Sequence, residues 1–250
     1  MFTPEEREEL RSQLIEEARC DSRITGAAIT GSASVGNEDC LSDIDLAFGI
    51  RESSDVAATL KDFAERMYHR HAALHHVDVL SDMWIYRVFL LPSTLQVDLA
   101  FAPAADFGAR GPTFHLVFGD AAVQEHMPPP AAEELIGWAW LYALHARSSI
   151  ARKRWWQAEY MISGMRDQVL ALACLRHGLS AREGRGLDSL PAEVAAPLEE
   201  ALIRNLGSDE LLRAFQAATR GLIGEIRGIN QDLATRLELT LRALTEIPVS

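Results

Sequence analysis

The chain has little cysteine. Three residues in 250, Cys20, Cys40 and Cys174, lie far apart and form no C-x-x-C pair. An odd, scattered set excludes a secreted disulfide framework and a zinc ribbon, and it fits a reducing compartment. Long apolar runs are missing too: no stretch approaches the roughly 18 uninterrupted apolar residues that a membrane span needs. The opening Met1-Phe2-Thr3-Pro4-Glu5-Glu6 is acidic where a signal peptide is basic and then apolar. The expectation is a cytoplasmic protein with no membrane attachment. Basic residues are the third scarcity, with 24 Lys and Arg against 36 Asp and Glu and a formal net charge of -12. Gripping a long phosphate backbone relies on Lys and Arg displacing counterions, so long nucleic acid is excluded as the main partner. There is no internal repeat and no low-complexity tract beyond three prolines at 128–130.

What is present is enough apolar residue, 48%, to build a substantial core without a structural metal. The three prolines forbid helix and strand alike and mark a stiff connector, which divides the chain into residues 1–127 and 131–250. Most of the acidity belongs to the first part, where 21 acids face 10 bases within residues 1–130. There, Thr3-Pro4-Glu5-Glu6 reads as an N-cap, a proline at the first helical position and a capping-box glutamate, opening a helix to about Cys20. Strand-like runs follow at Ile24–Thr30, Leu41–Ile50, His76–Leu80, Trp84–Leu91, Thr94–Phe101 and Thr113–Phe118, with one further helix from Ser54 to about Arg70. The fold class expected is α/β or α+β with a mixed sheet. After the prolines, helical periodicity runs almost unbroken to Leu244. Its clearest segment, Arg152 to His177, sets Trp155, Ala158, Ile162, Met165, Val169 and Leu172 along one stripe, so a C-terminal helical bundle is expected.

The chemistry is concentrated between Thr30 and Leu46. A strand ending in Gly31-Ser32 can turn so that backbone N–H groups face a phosphate; glycine allows close approach and the Ser32 hydroxyl can donate to a phosphate oxygen. Asp43-Ile44-Asp45 then sits in a run that looks like a buried strand, where residues i and i+2 share a face while Ile44 and Leu46 pack on the other. Two neighbouring carboxylates repel unless a cation lies between them, and all-oxygen ligands favour magnesium or manganese. Asp98 is the single acid in the apolar run Leu95–Phe101. If its strand lies beside the first, three carboxylates gather near the phosphate turn, an arrangement suited to metal-assisted phosphoryl or nucleotidyl transfer.

Gly31-Ser32, Gly36, Ser42-Asp43-Ile44-Asp45-Leu46 and a third acid, Asp98, on a later strand resemble the signature of the polymerase-β-like nucleotidyltransferase superfamily. A compact α/β half followed by a helical half is, within it, similar to the enzymes that nucleotidylate aminoglycosides or lincosamides. The resemblance implies a five-stranded catalytic core at 1–127, a helical substrate-binding domain at 131–250 and a cleft between the halves. It implies ATP as co-substrate with its β- and γ-phosphates on Gly31 and Ser32, and Mg2+ held by Asp43 and Asp45. Asp98 would complete the metal set or accept a proton. AMP would pass to a hydroxyl of a small antibiotic-like molecule and pyrophosphate would leave.

Other positions carry weaker expectations. Lys153, in the basic run Arg152-Lys153-Arg154, is a candidate cation for the triphosphate, set against a solvated helix start. Glu159, Ser163 and Arg166 share one polar stripe; Glu159 and Arg166 are candidate acceptor contacts, with a plain solvent face as the alternative. His69, His71, His75 and His76 crowd together, and the expectation is solvated rings rather than a zinc site. Two other functions fit the same motif: AMP transfer to a protein, as in toxin-antitoxin pairs, and a non-catalytic nucleotide-binding interaction module.

Overall fold

A computed structural model describes residues 1–247. The chain falls into two compact units, Met1–Met127 and the residues from Pro128 onward.

The first unit is a mixed six-stranded sheet with two helices on one face. Helix α1 (Pro4–Cys20) starts on a complete capping box: the Glu6 N–H donates to Thr3 Oγ1 at 3.2 Å, and the Thr3 N–H donates to Glu6 Oε2 at 2.8 Å. Strands β1 (Ile24–Thr30) and β2 (Ile44–Ile50) are followed by helix α2 (Val56–Arg70). Then come β3 (His75–Ser81), β4 (Trp84–Leu90), β5 (Gln96–Pro103) and β6 (Phe114–Gly119). The sheet order is β3-β4-β5-β2-β1-β6. Only β2 and β5 run parallel, which the crossover through α2 and the β3–β4 hairpin allows; the other pairs are antiparallel. The family resemblance implied five strands. Six join the sheet, because β6 pairs antiparallel with β1 and covers what would otherwise be its open edge.

The core lies on the helix side. Ile44, Leu46, Phe48 and Ile50 of β2 and Val97, Leu99 and Phe101 of β5 pack with Leu10, Leu14 and Ala18 of α1 and Leu60, Phe63 and Met67 of α2. Phe48, Phe63 and Phe101 meet pairwise at centroid separations of 5.2, 5.3 and 5.4 Å. The opposite face is built from smaller residues, Ala28, Ala47, Ala100 and Ala102, under Trp84 and Phe107. A Cβ on Gly49 would lie 2.8 Å from Phe107 Cγ, so glycine there is what lets this ring approach the strand so closely.

The second unit is helical: α3 (Ala132–Ala151), α4 (Trp155–Arg176), α5 (Ala192–Glu199), α6 (Ser208–Ile229) and α7 (Gln231–Leu244). Its core stripe on α4, Ala158, Ile162, Met165, Val169 and Leu172, is fully buried at alternating spacings of four and three. Trp155 packs at the edge of that core, whereas Trp156, one residue on, is 76% exposed. No helix among the described residues is long and apolar enough to cross a membrane.

Candidate functional site

Three chain segments converge at one end of the sheet. Strand β1 ends at Thr30; Gly31 turns with φ 62° and ψ -151° into a short 3-10 turn, Ser32–Val35, which Gly36 closes in the left-handed region. Asp45 is the second residue of β2 and Asp98 the third of β5, and the parallel register sets them side by side. Asp43 lies one residue before β2, and a carboxylate oxygen from each of Asp43, Asp45 and Asp98 falls within 4.8 Å of the others. The Gln96 side-chain amide donates to Asp43 Oδ2 at 3.1 Å and to Asp98 Oδ1 at 3.3 Å, bridging two of the three. A Cβ placed on Gly31 would lie 1.9 Å from Asp45 Oδ2. The turn therefore runs directly over the Asp45 carboxylate, and both its positive φ and this close approach require glycine.

The electrostatics follow from the crowding. Asp98 is half-buried, and its carboxyl is pushed up to about 6, first by burial and then by the neighbouring Asp43 charge, against a lowering contribution from the Gln96 amide. A carboxyl held up in this way gains from a cation. The donor set is three carboxylates with no histidine or thiol, which suits a small hard divalent ion, magnesium or manganese, better than zinc. The residues present fit such an ion.

Two side chains that sequence reasoning passed over fix the loop leading to Asp43. Arg7 and Arg11 are nearly fully buried on α1. Arg7 Nη1 donates to the carbonyls of Asp39, at 2.6 Å, and Ser42, at 2.9 Å, and its Nε lies 3.3 Å from Glu38 Oε1. Arg11 reaches both Glu38 oxygens, at 2.7 and 3.1 Å, and also meets Glu8. Burial works against the Arg11 charge, but the carboxylates of Glu38 and Glu8 outweigh it and hold its pKa above the ordinary value. These bonds draw the backbone of 39–42 toward α1, and β2 accordingly begins at Ile44 rather than at the expected Leu41. Asp43 thus sits on a clamped loop end and not within the strand. The signal was available: Arg7 and Arg11 fall on the stripe of Leu10, Leu14 and Ala18, where a helix in an acidic segment would otherwise place apolar residues.

The remaining candidates lie in the second unit, apart from His69, His71, His75 and His76. Lys153 occupies the exposed turn between α3 and α4, with φ 56°. Glu159 and Arg166 are drawn together through Ser163, whose hydroxyl donates to Glu159 Oε1 at 2.8 Å and accepts from Arg166 Nη1 at 3.5 Å; Arg166 Nη2 also pairs with Asp167 at 2.7 Å. His69 and His75 are exposed as expected, whereas His71 and His76 are less solvated. His76 Nδ1 lies 2.6 Å from the Tyr68 hydroxyl, and His71 is partly enclosed, its pKa lowered by burial. The reason is that β3 folds back against the end of α2, which brings ring faces together at the turn. Among the described residues, the three aspartates are the only group of acids, histidines or cysteines with spacing that could hold a metal.

No protein-family profile matches the chain, and no curated protein does. Among solved structures, it is similar to the crystal structure of an aminoglycoside 6-adenyltransferase from Bacillus subtilis. Identity is 12%, 98% of this chain and 99% of that chain are covered, and the TM-score is 0.38. The fold class rests on the mixed sheet and the helices themselves, and the chemistry on the aspartate site.

Proposed function

We propose that this protein is a nucleotidyltransferase that moves AMP from ATP to a hydroxyl of a small acceptor of the aminoglycoside or lincosamide kind, with release of pyrophosphate. The observation that carries the proposal is the gathering of Asp43, Asp45 and Asp98 within 4.8 Å, beneath a glycine turn whose Cβ would strike Asp45. Carboxylates of this number and spacing have no partner chemistry as economical as a divalent cation bound to phosphate oxygens.

In this reading Asp43 and Asp45 hold Mg2+, and Asp98, from β5, completes the set or takes the acceptor proton. When bound, the ion supplies the positive charge that offsets the triphosphate and the departing pyrophosphate. Gly31 lets the backbone approach the β- and γ-phosphates, and the Ser32 hydroxyl, which has no hydrogen-bond partner among the described residues, donates to a phosphate oxygen. The acceptor hydroxyl oxygen forms its bond to the α-phosphorus as the bond to the β-phosphate oxygen breaks. Where Asp98 is not a metal ligand, its carboxylate, side by side with Asp45 on the neighbouring strand, is the group placed to receive the hydroxyl proton. Lys153 supplies a mobile cation for the triphosphate, and Glu159 and Arg166 border the acceptor. The acidic first half would favour encounter with a polycationic acceptor.

The test is incubation with Mg2+, labelled ATP and a panel of aminoglycosides and lincosamides. Pyrophosphate release with label on the small molecule is expected. Label on a protein band would move the activity to AMP transfer onto a polypeptide. ATP-dependent protection from melting without pyrophosphate release would leave a nucleotide-binding module with no transfer.

A further inference from the structure

The sheet face that carries the carboxylates also carries a pocket with no role in the reading above. It has a volume of about 230 Å³ and lies wholly within the first unit. Ala47 and Ala100 form its floor, Trp84, Tyr86 and Phe114 its walls, and Arg110 its rim. The floor alanines are register partners, and each is two residues along its strand from one of the site acids: Ala47 from Asp45, Ala100 from Asp98. Two residues of strand advance by about 6.6 Å and return to the same face. The pocket thus opens one strand repeat from the carboxylates, and it reaches Thr30 beside the Gly31 turn.

Three features of this pocket decide what it takes. Its walls are aromatic: Tyr86 and Phe114 are part-exposed, and the buried Trp84 stacks against Tyr86, with centroids 5.8 Å apart and planes 22° from parallel, and backs that ring. Its size is below the roughly 300–1,000 Å³ of a site that encloses a whole drug-sized molecule, so it suits one planar ring system. Its lining contains a cation, Arg110, already turned toward Ser81 and Asp82, and no carboxylate, which is the wrong chemistry for a polyamine sugar. Resting on the nucleotidyl-transfer reading, we propose that this pocket is the nucleobase subsite. The base packs against the part-exposed Tyr86 ring, which Trp84 backs, over the Ala47–Ala100 floor, and the ribose spans the strand repeat back to the α-phosphate at the aspartates. The alanines are then specificity elements, because any larger side chain on the floor would fill the space the ring needs.

The experiment is calorimetric titration of the full chain, in Mg2+, with ATP, with inorganic tripolyphosphate and with an aminoglycoside, for the wild type and two variants. Tyr86→Ala removes one stacking face. Gly111→Leu adds bulk at a lining position where a Cβ meets nothing within 4 Å, so it obstructs the pocket without disturbing the fold. Wild type is expected to bind ATP more tightly than tripolyphosphate. Each variant is expected to lose about tenfold or more in ATP affinity while tripolyphosphate affinity stays the same, which also reports an intact fold. If both variants keep the wild-type ratio of ATP to tripolyphosphate affinity, the base lies elsewhere and the assignment fails while nucleotidyl transfer stands. Loss of aminoglycoside binding with ATP binding unchanged would likewise overturn it, in favour of an acceptor site. If wild type binds neither ATP nor tripolyphosphate, the nucleotidyl-transfer reading fails and this assignment falls with it.

Discussion

The two faces of one pair of strands differ as much as two proteins might. On the helix side, β2 and β5 present Ile44, Leu46, Phe48 and Ile50 beside Val97, Leu99 and Phe101, each no more than 1% exposed. On the other side the same strands present Asp45, Ala47 and Gly49 beside Asp98, Ala100 and Ala102. Alternation with period two places large apolar groups where burial stabilises the fold and small or charged groups where something must approach the backbone. The lesson is that stability and chemistry are assigned to alternate residues of a single segment, so either can be altered with little effect on the other.

The sharpest way to break that comparison is to substitute neighbours on opposite faces. Asp45→Asn is expected to lower Mg2+-dependent pyrophosphate release by at least about a hundredfold with little change in melting temperature. Phe48→Ala, three residues on, is expected to destabilise by about 3–5 kcal/mol in a denaturant titration. Near-normal turnover in the first, or an unchanged denaturation midpoint in the second, would dissolve the division of labour.

A smaller effect is expected where the helix side reaches across to serve the site. Arg7→Met frees the carbonyls of Asp39 and Ser42, so Asp43 loses its fixed position. The expected result is a weakening of Mn2+ affinity by roughly ten- to a hundredfold, read directly by the signal of the free ion, with partial rescue in Arg7→Lys. Unaltered Mn2+ binding in the methionine variant would show that the loop holds itself.

The smallest effect is a pH dependence. The folded state holds the Asp98 carboxyl at about 6, above its usual value, so without metal the folded protein binds the extra proton more tightly than the unfolded chain. This contribution to stability is complete below the unfolded pKa and is lost as pH rises through about 6. Metal-free Asp98→Asn is therefore expected to melt above wild type at pH 7, with the gap closing toward pH 4. Parallel melting curves across that range would mean that the site does not strain its acid.

The α1 capping box, the core face of β2 and the buried stripe of α4 were legible because each depends on a local pattern: a hydroxyl and a glutamate three apart, alternation, and a spacing of three and four. The limits of β1 matched residue for residue. The start of β2 did not, since nothing within 41–50 reports that Arg7, more than thirty residues earlier, draws the backbone away. His76 looked solvated for a related reason, as the sequence gives no hint of the Tyr68 hydroxyl that meets it. Arg7 and Arg11 were passed over because a charge on a helix is read as facing water until the partner that buries it is known.

By itself the sequence determined which residues could face inward and which acids stood out against apolar strands, because periodicity is a property of consecutive residues. Only the tertiary structure decided that β2 and β5 are adjacent and parallel, with Asp45 opposite Asp98, that Gly31 passes over Asp45, and that an aromatic pocket opens one strand repeat away. Those facts depend on contacts between segments fifty or more residues apart in some cases. Such contacts are chosen by how whole layers pack, and no short stretch of chain encodes them.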